Sequence, residues 1–217
     1  MKTDTQLKKE VLAELEWDPT LNANSVGVAV NKGVVLLTGH LDTFAEKQAV
    51  EEAVQRVAGV KAIAVELDVK LEPHHHRSDA EIAAAIGASF GWHALIPDDR
   101  IQLKVEKGWV TLTGEVDWHY QRHNAETVVR TVTGVVGVNN RLSLRERDAS
   151  EYVANRIHEA LTRYAEEEAK NIKIVVEGGT ATLSGTVATL AELSVVQAAA
   201  WSAPGISRVV NELQVQP

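Results

Sequence analysis

The sequence predicts a mixed α/β (α+β) protein of three tandem αββαβ domains, each a three-stranded sheet packed by two helices. A glycine-bounded, β-rich stretch occurs three times: Lys32-Gly-Val-Val-Leu-Leu-Thr-Gly39, Lys107-Gly-Trp-Val-Thr-Leu-Thr-Gly114 and Gly178-Gly-Thr-Ala-Thr-Leu-Ser-Gly185. The spacing holds along the copies. Gly33 to Gly108 and Gly39 to Gly114 are each 75 residues apart, and Gly108 to Gly179 and Gly114 to Gly185 are each 71. Gly59, Gly134 and Gly205 keep the same offsets, and repetition without internal gaps marks tandem units. A unit of about 70 residues exceeds a solenoid repeat and can bury its own core. The predicted domains are 1–71, 78–145 and 149–217, joined by Glu72-Pro-His-His-His-Arg77 and Arg145-Glu-Arg-Asp148.

Each domain opens with a helix. Thr3-Asp-Thr-Gln6 and Ser78-Asp-Ala-Glu81 read as capping boxes, with Asp148-Ala-Ser-Glu151 shifted by one position. The stripes Leu7, Val11, Leu15, then Ile82, Ile86, Phe90, then Val153, Ile157, Leu161 give each helix one apolar face. Trp17 and Trp92 follow the first two stripes, where the third copy has Arg163; the expectation for them is packing at the core edge or between domains. The first strand is Val26–Val30, Ile101–Val105 or Ile172–Val176. A tight turn through Gly33, Gly108 or Gly179 leads into the repeated stretch as a hairpin. Alternation there puts Val35 and Leu37, Val110 and Leu112, and Ala181 and Leu183 on the buried face. The second glycines, Gly39, Gly114 and Gly185, suit a close backbone approach at the strand's end.

A second helix follows, with stripes Val50, Ala53, Val54, Val57, then Ala125, Val128, Val129, Val132, then Val196, Ala199, Ala200, Ala203. Gly59, Gly134 and Gly205 are expected to end it as left-handed C′ residues. The last strand runs over 60–69, 135–144 and 206–215, parallel to the hairpin's second strand.

These residues resemble the BON domains, named for bacterial osmotic-shock and nodulation proteins. The resemblance rests on G-x-V-x-L-x-G, the helix after it, and a closing segment seen as Gly134-Val-Val-Gly-Val-Asn-Asn-Arg-Leu-Ser-Leu144 and Gly205-Ile-Ser-Arg-Val-Val-Asn-Glu-Leu-Gln-Val215. The first copy has Val65 where the others have Asn140 and Asn211. The resemblance implies a non-catalytic α/β protein tied to osmotic and envelope stress and to phospholipid binding. It also implies domains of the kind found in secretins and mechanosensitive channels.

Composition narrows the function classes. A net charge of −8 argues against nucleic acid as a partner and weakens simple attraction to an anionic membrane. Without cysteine there is no thiol catalysis, disulfide or thiolate metal site. The first ten residues lack an apolar signal region, and no apolar run reaches the roughly 20 residues of a spanning helix. The expected location is cytoplasmic, with the periplasm or envelope as the family's alternative.

Chemistry-bearing clusters have plainer readings. His74, His75 and His76 are adjacent linker residues that do not converge on one metal. His119 and His123, four apart on a helix, read as a surface pair, and His93 lies apart in sequence. The Glu166–Glu168 run reads as a solvated face. No cofactor, metal or catalytic group is expected. Trp109, Trp118 and Tyr120 are the candidate contact residues, for lipid or a partner, because aromatic side chains favour membrane and protein interfaces. The functional expectation is a phospholipid- or envelope-associated stress module, the alternative a homo-oligomeric scaffold or pore-like assembly passing solutes.

Overall fold

The computed structural model describes residues 2–145, 153, 157 and 172–216. The first repeat holds α1 (Asp4–Trp17), β1 (Val26–Asn31), β2 (Val34–Leu41), α2 (Phe44–Arg56) and β3 (Ala62–Val69). The second holds α3 (Asp79–Trp92), β4 (Ile101–Glu106), β5 (Trp109–Val116), α4 (His119–Arg130) and β6 (Gly137–Leu144). β7 (Ile172–Glu177), β8 (Thr180–Val187), α5 (Leu190–Trp201) and β9 (Arg208–Val215) follow, with Val153 and Ile157 helical before them. The third capping sequence, Leu161 and Glu166–Glu168 lie outside the described residues.

Among the described residues three separate three-stranded sheets form, ordered β1-β2-β3, β4-β5-β6 and β7-β8-β9. In the second and third sheets the hairpin strands pair antiparallel and the last strand joins parallel: Leu112 of β5 faces Leu103 on one side and Asn140 on the other, and β8 repeats the arrangement. Strand order, which the sequence left open, puts the glycine-bounded stretch at the centre, where its alternate residues are most fully covered. Leu37, Leu112 and Leu183 are all completely buried.

The capping boxes form at both α1 and α3. Gln6 N–H donates to Thr3 Oγ1 and Thr3 N–H to Gln6 Oε1, and Ser78 and Glu81 repeat the exchange. The aspartate that follows each cap reaches further. Asp79 accepts from the turn N–H groups of Lys107 at 2.8 Å and Gly108 at 2.9 Å. Asp4 does the same for Lys32 at 2.8 Å and Gly33 at 3.1 Å. Lys32 and Lys107 sit in the left-handed region at φ 52° and 51°, which this two-residue hairpin turn requires. In the third copy Gly178 occupies that position at the same φ of 51°, and Ser150 replaces the aspartate.

The second glycine of each stretch marks a close approach. A Cβ on Gly114 would meet the Arg100 carbonyl oxygen at 2.2 Å. The third glycine departs from expectation: α4 ends at Arg130 with Thr131 as its cap, so Gly134 is not C′. It lies inside the next turn, which Val135 N–H closes onto the Val132 carbonyl. A glycine of positive φ at the third position suits a type II turn. The third copy writes this turn as Ala203-Pro-Gly-Ile206, closed in the same way.

The described residues form two compact units, one of 39–49 with 67–145, the other of the remainder. Within the former, Phe44 is buried in one cluster with Ile82, Phe90, Leu112 and Val129, and Val69 packs against it. Within the latter, Val153, Ile157, Leu183 and Ala200 share a core.

Candidate functional site

Among the described residues, the most exposed large apolar side chains end α1 and α3. Trp17 is 85% and Trp92 90% exposed, and Leu95 beside Trp92 is 52% exposed. The expectation of core-edge packing is therefore corrected for both tryptophans. The spacing held the signal: two residues past Leu15 or Phe90 is about 200° around a helix, away from the core stripe. The outer face of α3 is also uncharged between Glu81 and Trp92, with Ala84, Ala85, Ala88 and Gly91 exposed.

The aromatics of the second repeat are placed differently. Trp109 lies on the outer face of β5, opposite Gly137 of β6. A Cβ on Gly137 would meet the Trp109 ring at 2.5 Å, so the indole covers a gap in the neighbouring strand, as aromatics do for sheet glycines. The equivalent pairs, Val34 with Ala62 and Thr180 with Arg208, have neither the indole nor the gap. Trp109 remains 56% and Tyr120 46% exposed. Trp118 is half-buried at the N-cap of α4, where Gln121 Oε1 accepts from its N–H at 3.0 Å.

Among the histidines, His119 and His123 lie parallel on α4 with ring centroids 6.2 Å apart. Burial, with the charges of Arg122 and His123, lowers the His119 pKa to about 4. Asn140 ties β6 to this helix, donating to the Arg122 carbonyl at 3.0 Å and to Glu126 at 2.9 Å. Burial pushes the Glu126 carboxyl up, but the bonds from Asn140 and Arg130 outweigh it and hold the group below its ordinary range. His93 ends α3 and its ring accepts from Leu95 N–H. In the linker, the His74 and His75 rings meet at 4.0 Å, and His74 faces Glu72. Among the described residues no three His, Asp or Glu side chains gather to hold a metal, and no helix is long and apolar enough to cross a membrane.

Two clefts lie at equivalent turns, one in each compact unit. One, of about 650 Å³, is lined by Lys70, Arg77, Asp79, Lys107 and Gly108 among others. The other, of about 240 Å³, is lined by Lys2, Asp4, Lys32, Gly33 and Lys61. Both the aspartate caps and these cations escaped the sequence reading. Their signal was the same 75-residue offset that links the glycines, shared by Asp4 and Asp79 and by Lys32 and Lys107.

The BON-domain family model matches residues 3–70, 78–146 and 150–217, and the chain belongs to that family. Among known proteins, it is similar to Osmotically-inducible protein Y of Escherichia coli (strain K12), with 23% identity over 146 residues, covering 65% of this chain and 73% of that protein. Two solved structures of CdsD, a structural protein of the type III secretion system of Chlamydia trachomatis, align at a TM-score of 0.25 and 15% identity. One alignment covers 96% of this chain and 91% of that chain, the other 100% of each.

Proposed function

We propose that this chain is a non-enzymatic osmotic-stress protein that attaches to phospholipid surfaces through Trp17 and Trp92. The stress role rests on the family and on the osmotically inducible relative. The lipid role rests on one observation, the exposure of two tryptophans at equivalent helix ends. An indole prefers the membrane interface, where its ring meets apolar matter and its N–H meets water. Insertion of indoles needs no anionic lipid, which suits a chain of net charge −8. Attachment of this kind requires no membrane-spanning helix.

The test is co-sedimentation with phosphatidylcholine vesicles. Replacing Trp17 and Trp92 by Ser should leave the thermal midpoint unchanged and weaken binding about tenfold, the worth of roughly 1.4 kcal/mol. Unchanged binding in the folded variant would remove the proposal. The uncharged face of α3 favours a second reading, a homo-oligomeric scaffold, and a solution mass above that of one chain would support it.

A further inference from the structure

We propose that the two turn clefts are binding sites for a phosphate group, free or in a lipid headgroup. The clefts belong to different repeats yet carry the same charge. Lys2 and Arg77 occupy equivalent positions, as do Lys32 and Lys107. The third cation does not: Lys61 supplies it in the first cleft, where the second has Val136 and draws Lys70 from the end of β3. Three cations are thus kept although one comes from a different place in the chain. Set in a protein of net charge −8, such a concentration of positive charge in a concavity focuses the local field.

The helix termini and the turns are not the recognition groups. Ser78 and Glu81 already cap α3, and Asp79 takes both turn N–H groups. What remains for a ligand is the cationic rim: Lys70, Arg77 and Lys107 in one cleft, and Lys32 and Lys61 in the other, where Lys2 already pairs with Glu10 and donates to the Ala58 carbonyl at 3.0 Å. Arg77 is held in place through Nη1 alone, which donates to the carbonyls of His74 at 2.9 Å and His76 at 2.8 Å. Its other N–H groups are outside those bonds, and a guanidinium has five N–H donors in a fixed fork. A phosphate offers three strong acceptor oxygens and can engage three separate cations at once. The third repeat has Asp148, Gly178 and Ser207 where the first has Lys2, Lys32 and Lys61, and it serves as an internal control.

The test titrates inorganic phosphate into the full chain and follows the amide resonances of Gly33, Gly108 and Gly179. Gly33 and Gly108 should shift and saturate, and Gly179 should not. Changing Arg77 and Lys107 together to Gln should weaken the Gly108 response about tenfold and leave that of Gly33 intact. Arg77→Lys with Lys107→Arg should retain it. Lys107→Gln alone, at an exposed side chain, reads the same loss if the double variant is destabilised. Equal responses at all three glycines, or an unchanged Gly108 response in the folded Gln variants, would overturn the proposal. Vesicles of phosphatidylglycerol in phosphatidylcholine then separate the sources. Loss of vesicle binding along with the phosphate response assigns the headgroup, and vesicle binding unaffected by the Gln changes assigns free phosphate. The Trp17 and Trp92 variant keeps its phosphate response under this proposal, so the two readings fail separately.

Discussion

Lys107 holds a backbone φ of 51°, a conformation that costs an L residue about 1–2 kcal/mol. Asp79 offsets that cost by binding both N–H groups of the turn. Asp79→Ala strands those donors, one of them partly buried, and should cost about 1–3 kcal/mol in urea denaturation. An unchanged midpoint would mean that water replaces the carboxylate. A second residue sets the response to acid. His119 titrates near 6.5 when unfolded and near 4 when folded. Between those values the unfolded chain binds a proton that the folded chain does not. Its contribution is therefore complete above the unfolded value and is lost as pH falls toward the folded one. The depressed Glu126 carboxyl acts in the same direction at lower pH. Midpoints compared at about pH 5 and about pH 7.5 should differ less in His119→Asn than in the wild type. An equal difference in both would show that His119 is not the sensitive group.

At the scale of the element, the second helices differ in how they begin. Thr43 caps α2 by accepting from Glu46 N–H at 3.1 Å, and Thr189 caps α5 by accepting from Glu192 N–H at 3.0 Å. The equivalent residue at α4 is Trp118, whose indole has no acceptor. Trp118→Thr should restore the cap and raise stability by about 0.5–2 kcal/mol; a lowered midpoint would show that indole packing outweighs capping. Elements of this kind were legible in the sequence because local chemistry dictates them. Ser78 and Glu81 announce a helix start, and Gly108 announces the turn that needs positive φ. The Asp79 bond was not legible in the same way, because it joins residues 28 and 29 positions apart. The outer-face position of Trp109 follows from its place next to the buried Val110, but its Gly137 partner depends on a strand register that alternation alone does not supply. The position of Gly134 was misjudged because a glycine ends a helix and shapes a type II turn through the same left-handed preference.

At the scale of the whole molecule, the repeats in sequence are not the same thing as the packed units. Phe44 begins α2 in the first repeat, yet it is buried with Ile82, Phe90, Leu112 and Val129 of the second. Its equivalents in the other copies are His119 and Leu190, so the phenyl ring is not a requirement of the repeat itself. Val69, at the end of the first repeat's last strand, packs on the same cluster. The second repeat therefore draws part of its core from sequence before its own first helix. Phe44→Ala should cost about 3–5 kcal/mol, as truncation of a buried aromatic does, and the loss should fall on the second repeat. Amide exchange in the full chain would locate it. The Leu112 amide in β5 should exchange faster in the variant, while that of Leu183 in β8, whose core cluster does not include Phe44, should keep its protection. If Leu112 keeps its protection too, the second repeat is stable without the ring, and Phe44 only covers its surface.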